Sequence, residues 1–361
     1  MASSSSPPAN PKPLITHIHT ADPSAHVFNN TLYIYPSHDI PTEAPSNDNG
    51  DQYAMKDYHV FSIQHPGGPV TDHGISLDLP SVPWASQQLW APDAAEKNGK
   101  YYLYFPARDH EGIFHIGVAV GETPSGPFLA ERTWIKGGFS IDPAVFVDDV
   151  CDPENGSGEG EGEGGDAYLY FGGLWGGQLQ CWTKDGSDVN SAKSESGWTF
   201  SSHISRNGPT EPHGQGVPAL TPRVAKLSGD MLTLASPVRE LQILDETGSL
   251  IAADDHDRRF FEASWLHKYN GTYYFSYSTG DTHYIVYATS LSPWGPFTYR
   301  GRILEPVLGW TTHHSIVEWQ GKWWLFYHDC EISGGESSLR NVKMREITYD
   351  TEGKIHLAQA Q

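Results

Sequence analysis

The chain repeats one phrase five times, and that repetition restricts its fold more than any other feature. "TADPSAHVFNNTLYIYPSHD" begins at Thr20, and "WAPDAAEKNGKYYLYFPARD", "SIDPAVFVDD…DAYLYFGG", "FFEASWLHKYNGTYYFSYSTG" and "HHSIVEWQGKWWLFYHD" follow in order. Each copy has a short polar or acidic lead, a few apolar residues, a turn pair and an aromatic-rich run. When the copies are aligned on their turns (Asn29-Asn30, Asn98-Gly99, the insertion ending near Asp166, Asn270-Gly271 and Gln320-Gly321), the aromatic runs coincide. Turn pairs of this kind between two apolar runs predict β-hairpins. The first would join "SAHVF" to "LYIYP" and the last "SIVEW" to "WWLFYH".

Further strand signals lie behind several hairpins. "IGVAVGETPSGPFLAE" and "YIVYATSLSPWGPFTYRG" share an apolar run, a small polar turn and Gly-Pro-Phe. Two hairpins in succession make a four-stranded antiparallel sheet, and five such sheets set radially make a propeller. The expected fold is all-β, a five-bladed β-propeller forming a single domain over residues 14–361 behind a flexible tail at residues 1–13. A β-sandwich would not repeat a motif internally, and the units are too long and irregular for β-helix coils. With 37 Gly, 26 Pro, 12 Trp and 18 Tyr, the composition agrees with many short strands and tight turns. The third hairpin is interrupted by "CDPENGSGEGEGEGGDA", residues 151–167. Alternating Gly and Glu cannot bury apolar surface, so a mobile surface loop is expected. Its acids lack the spaced ligands of a calcium loop.

A formal net charge of −21 argues against nucleic acid and anionic membranes as partners, since both are bound by excess Lys and Arg. Cys151, Cys181 and Cys330 are odd in number and widely spaced, so they read as packed thiols rather than a disulfide framework or a zinc cluster. The leading "MASSSSPPANPKP" lacks the apolar core of a secretory signal, and no run approaches the ~20 apolar residues of a membrane span. As written, the chain is expected in the cytoplasm.

In a propeller the first strand of each blade lines the central channel, so equivalent positions converge on one axis. Those positions are Asp22, Ala91, Asp142, Glu262 (displaced by one residue) and His313. A single Asp-Pro pair is an ordinary strand-start device; the shared register across repeats is what carries weight. Like charges crowded on an axis repel and raise one another's pKa, a cost that a purely structural design avoids. Acids among aromatics are what glycoside hydrolysis requires: one carboxylate as base on water, one as proton donor to the leaving oxygen, and flat rings against the sugar. Trp84, Trp90, Trp175, Trp265 and Trp310 lie near predicted strand ends or loops.

"TADPSAHVF", "WAPD", "SIDPAVFVDD", "RRFFEASWLHKYNGTYYFSYSTG", "TTHHSIVEWQGKWWLFYHD" and "LRNVK", in that order, resemble glycoside hydrolase family 43, five-bladed propellers acting on xylan- and arabinan-derived sugars. The resemblance runs from about Leu14 to the C-terminus. It implies inversion at the anomeric carbon, with Asp22 as general base, Glu262 as general acid and Asp142 as the acid that tunes and orients Glu262. It matches His313 to an axial histidine that helps hold a structural Ca2+ or other cation through water, with His314 adjacent; the chemistry itself would require no cofactor. Arg340 would reach the sugar of the innermost subsite, Trp90 and Ala91 would wall it, and Trp175 and Gln178 would make further contacts. The implied activity is exo-release of xylose from β-1,4-xylo-oligosaccharides with α-L-arabinofuranosidase side activity, so xylo-oligosaccharides and arabinose-containing oligosaccharides are the expected partners. The alternatives are an exo-α-L-arabinofuranosidase or arabinanase and, from another class, a non-catalytic carbohydrate-binding propeller, which would lack at least one of the three acids. The sequence shows no counterpart of the C-terminal β-sandwich that completes the pocket in many larger xylosidases of that family, leaving exo against endo action open.

Overall fold

In all four uninterrupted hairpins the turn pair has positive φ at both residues, from 48° at Asn270 to 78° at Gly271. This is the geometry that lets a two-residue turn follow the right-handed twist of its strands, and it is why Asn and Gly recur there. The computed structural model describes residues 11–149, 165–184, 197–201 and 211–358. The Gly-Glu run predicted as a mobile loop lies almost wholly outside the described residues, as do most of the predicted tail and Cys151; Cys181 and Cys330 are buried free thiols.

The first sheet holds β1 (His19–Phe28), β2 (Thr31–Asp39), β3 (Asp57–Ile63) and β4 (Thr71–Asp78), and the second β5 (Asp93–Lys97), β6 (Lys100–Arg108), β7 (Phe114–Gly121) and β8 (Leu129–Ala130). In the third, β9 (Ala144–Val147) and β10 (Ala167–Phe171) are separated in sequence from β13 (Arg223–Lys226) and β14 (Arg239–Glu240) by a small hairpin, β11 (Trp182–Lys184) with β12 (Trp198–Phe200). The fourth runs β16 (Glu262–Tyr269), β17 (Thr272–Ser278), β18 (Ile285–Ser290) and β19 (Phe297–Leu304), and the fifth β20 (His314–Trp319), β21 (Lys322–Asp329), β22 (Asn341–Tyr349) and β23 (Ile355–Leu357). The fourth exceeds the expected four strands, because β15 (Ile243–Leu244) adds to β19 in parallel.

The innermost strands close a ring: β1 meets β5, β5 meets β9, β9 meets β16, β16 meets β20, and β20 returns to β1. The chain is a five-bladed β-propeller. Its closure is reinforced by the segment ahead of β1 and the start of that strand, where the Leu14 and Thr20 amides donate to the Val342 and Arg340 carbonyls and Asn341 Nδ2 donates to the Ile15 carbonyl. Among the described residues the only helical segments are three single 3-10 turns.

Bulges at the axis decide where the acids point. On β1 the pairing jumps from Ala21 opposite Ser37 to Ser24 opposite Tyr35, so Asp22 and Pro23 bulge from the ladder with Asp22 at φ 48°. The sequence predicts Asp22 ahead of its strand; the structure places it inside β1, which begins at His19. Asp142 takes φ 54° just before β9. On β16 the same jump falls between Glu262 and Trp265, and the left-handed residue is Ala263, at φ 63°. The one-residue displacement of Glu262 therefore has a backbone cause: in this blade the acid precedes the left-handed residue instead of occupying it. Bulges re-aim side chains, and Asp tolerates positive φ better than most residues.

Candidate active site

Asp22, Asp142 and Glu262 all line one cavity of about 240 Å3 at the axis. Arg340, leading into β22, ties Asp22 into a buried ion-pair network: its Nη1 donates to Asp22 Oδ1 at 2.9 Å and to Thr311 Oγ1 at 2.9 Å. Its Nε and Nη2 donate to the two oxygens of Asp39 at 2.8 Å each, and its backbone N–H donates to Asp39 as well. Such a two-pronged pair fixes the guanidinium plane. Ser37 Oγ donates to Asp22 Oδ2 at 2.6 Å. The Asp22 amide donates to His328 Nδ1 at 3.0 Å, which makes that nitrogen an acceptor and leaves Nε2–H for the Thr311 carbonyl, 3.0 Å away.

The three carboxyls are biased in opposite directions. Burial alone would raise Asp22, but the Arg340 guanidinium, helped by the Ser37 hydroxyl, holds it down to about 2. Asp142 is pushed up to about 8, by burial first and then by the negative charge of Asp22, against a 2.8 Å hydrogen bond that its Oδ2 accepts from the Ala263 amide. Glu262 is raised well above the ordinary carboxyl range by burial, by Asp142 and by Asp22. Two neighbouring buried acids cannot both ionise cheaply, so Asp142 and Glu262 retain a proton near neutrality while Asp22 stays charged. By gripping Ala263 N–H, Asp142 also anchors the bulge that aims Glu262.

Around the acids, Trp90, Ala91, Trp175, Trp310 and Phe261 supply flat or apolar wall. Trp90 Nε1 donates to the Tyr53 carbonyl at 2.8 Å, and the rings of Trp175 and Trp310 lie 5.4 Å apart. Trp84 and Trp265 belong to the core instead: Trp84 stacks on Phe105, and buried Trp265 donates Nε1 to the Ile316 carbonyl. His313 also lines the cavity, its Nε2 3.8 Å from Asp142 Oδ2, whereas His314 is fully buried against Ser276 Oγ at 2.6 Å.

Gln178 stands apart from the expected contacts. Its Oε1 accepts from the Phe114 amide at 2.8 Å, its Nε2 donates to the Gly112 carbonyl at 2.9 Å, and it does not line the cavity. A side-chain amide spent at both ends on backbone ties a turn rather than reaching a sugar. The acid of the second repeat, Asp93, is likewise structural, accepting from Ser24, from His26 and from the Val145 amide across the ring.

The sequence reading missed Asp39, Ser37 and the loop of residues 40–56 between β2 and β3, from which Ser46 to Tyr53 furnish one wall of the cavity. That wall is pinned. Arg108 Nη2 donates to the Asn49 carbonyl at 2.8 Å and to the Gly176 carbonyl at 3.4 Å, joining loops from the first and third blades through the second. A Cβ at Gly176 would sit 2.9 Å from the Asn49 backbone, and one at Gly50 would sit 2.4 Å from the Trp90 ring, so both contacts depend on glycine. A signal for Asp39 was available: Asp39 and Asp329 close β2 and β21, Asp109 follows β6, and each pairs with a basic side chain, Arg340, Lys343 and His115 respectively.

The family profile described as Glycosyl hydrolases family 43 matches residues 65–156 and 219–355. The chain belongs to glycoside hydrolase family 43. Xylosidase/arabinosidase 43A of Humicola insolens is 63% identical to it over 346 residues, covering 95% of this chain and 98% of that protein. A xylosidase/arabinosidase of Bacteroides ovatus is 49% identical over 343 residues, covering 95% of each. Among solved structures, a family 43 β-xylosidase/α-arabinofuranosidase from a compost microbial metagenome, in complex with xylotriose and described as the calcium-free form, superposes with a TM-score of 0.85 at 55% identity and covers 97% of this chain and 98% of its own.

Proposed function

We propose that this family 43 hydrolase is an inverting exo-β-xylosidase that removes xylose from the non-reducing end of xylo-oligosaccharides and also accepts α-L-arabinofuranosides. The observation that carries the reading is the opposed bias of carboxyls lining one cavity, Asp22 held ionised and Glu262 held protonated. Asp22 draws the proton from a water on one face of the sugar while Glu262 protonates the glycosidic oxygen on the other, the division of labour inversion requires. Burial first, then the charge of Asp22 and, once it ionises, of Asp142, keeps the proton on Glu262; Asp142 anchors its backbone, and Arg340 holds Asp22 charged while facing the innermost subsite. Relatives named xylosidase/arabinosidase support the dual specificity. The pinned wall from Ser46 to Tyr53 supports exo action, because it closes one side of the cavity from within the propeller.

An axial cation fits the same reading. His313 Nδ1 is buried without a well-formed hydrogen bond, and Ca2+, which prefers oxygen ligands, would be held there through water. When bound, its charge would favour the ionised form of nearby Asp22.

The test compares leaving groups. Glu262→Gln is expected to lower turnover of xylobiose by roughly 10²–10⁴-fold and of 4-nitrophenyl β-D-xyloside far less, since a nitrophenolate departs without a proton. Asp22→Asn is expected to abolish both with binding retained. Equal losses on both substrates in Glu262→Gln would remove it as the acid, and activity confined to arabinosides would replace the xylosidase reading.

A further inference from the structure

Outside the axial cavity, His38, Asp57 and His59 each offer one ligand atom, and these atoms all lie within 4.8 Å of one another. The cluster follows from strand geometry: Asp57 and His59 are alternate residues of β3 and so share a face, while His38 is the penultimate residue of the neighbouring β2. His38 Nδ1 lies 2.6 Å and His59 Nε2 3.9 Å from the same Asp57 oxygen. All three side chains are 15–18% exposed, open enough for an ion to enter.

A second, independent feature orients the cluster. His59 Nδ1 contacts Asp72 Oδ1 at 3.0 Å, and Asp72 is held by the Gly74 amide at 2.7 Å and by His17 Nε2 at 2.7 Å. A carboxylate only accepts hydrogen bonds, so Nδ1 of His59 must be the donor and a neutral ring carries its lone pair on Nε2, the atom facing Asp57. A carboxylate behind an imidazole whose far nitrogen faces another ligand is the arrangement that supports metal-bound histidine.

We propose that His38, Asp57 and His59 bind a divalent transition metal ion, with Zn2+ the best match, a water completing four-coordination and Asp72 orienting His59. Two imidazoles and one carboxylate suit Zn2+, whereas Ca2+ needs six to eight oxygens. Bonds of about 2.0–2.1 Å in a tetrahedron require ligand atoms roughly 3.3 Å apart, so the 2.6 Å His38–Asp57 contact opens and the 3.9 Å His59–Asp57 separation contracts, each by roughly two-thirds of an ångström. The ion replaces the proton shared by His38 and Asp57. It would clip together the two feet of the loop of residues 40–56, since His38 lies at one end and Asp57 and His59 at the other. A clip across a long loop stabilises by restricting the unfolded chain.

The test is isothermal titration of the metal-stripped protein with Zn2+, paired with the thermal midpoint with and without Zn2+. Wild type and His313→Gln are each expected to bind one equivalent that excess Ca2+ does not displace, with a rise in midpoint. His59→Gln and His38→Gln are expected to lose that equivalent and the rise, and Asp72→Asn to weaken binding by about 10–100-fold. Comparing metal-free midpoints separates loss of the site from loss of the fold. Absence of Zn2+ binding in wild type, or an unchanged equivalent in folded His59→Gln or His38→Gln, would overturn the proposal.

Discussion

Replacing Asp142 by Asn should make the protein more stable and less active, with a pH dependence that identifies the cause. A carboxyl raised from 3.8 to about 8 keeps its proton at pH 7 in the folded state, whereas the unfolded chain has released it. Folding stability is therefore lost as pH rises from about 4 toward 8. At about 1.4 kcal/mol per pH unit over roughly three units, this amounts to ~4 kcal/mol at pH 7 as an upper bound. Asn carries no titrating proton, and its side-chain oxygen can still accept from the Ala263 amide, so a gain of about 2 kcal/mol at pH 7 is expected after discounting for the effective dielectric of real interiors. The gain should vanish below pH 4 and level off above pH 8. The assay is the thermal unfolding midpoint of both proteins from pH 4 to 9. Removing this charge also lowers the pKa of Glu262, so the alkaline limb of kcat/KM should move to lower pH by on the order of one unit. A variant less stable than wild type at pH 8, or a gain equal at pH 4 and pH 8, would refute the account.

Asp39→Ala leaves the buried Arg340 guanidinium without the partner that takes its Nε and Nη2; a loss of about 3–5 kcal/mol is expected in chemical denaturation at pH 7, and Asp39→Asn, which retains an acceptor, should lose less. Gly50→Ala places a methyl against the Trp90 ring at φ +77°, so the wall should shift and KM for xylobiose rise at least several-fold with a smaller change in kcat; an unchanged KM would show that the loop does not bound the occupied subsite.

The sequence determined the architecture because hairpin turns and aromatic runs are local signals. An Asn-Gly pair needs only its own backbone preference to mark a turn, and five copies in register are enough to count blades. The same register brings Asp22, Asp142, Glu262 and His313 to one cavity at the axis, since a propeller converts repeat position into radial position. Distance along the chain hid the remainder. Arg340 reaches Asp39 across 301 residues and Asp22 across 318, and no local pattern marks which acid a buried guanidinium will choose. Gln178 looked like a sugar contact by its place beside Trp175, and only packing against Phe114 and Gly112 shows that both ends of its amide are already used. His313 and His314 are adjacent in sequence, but His313, just ahead of β20, lines the cavity while His314, the first residue of that strand, packs against Ser276. The repeats thus name the acids, while their protonation is decided by tertiary structure, because burial and the placement of one arginine set the electrostatics that hold Asp22 charged and Asp142 and Glu262 protonated.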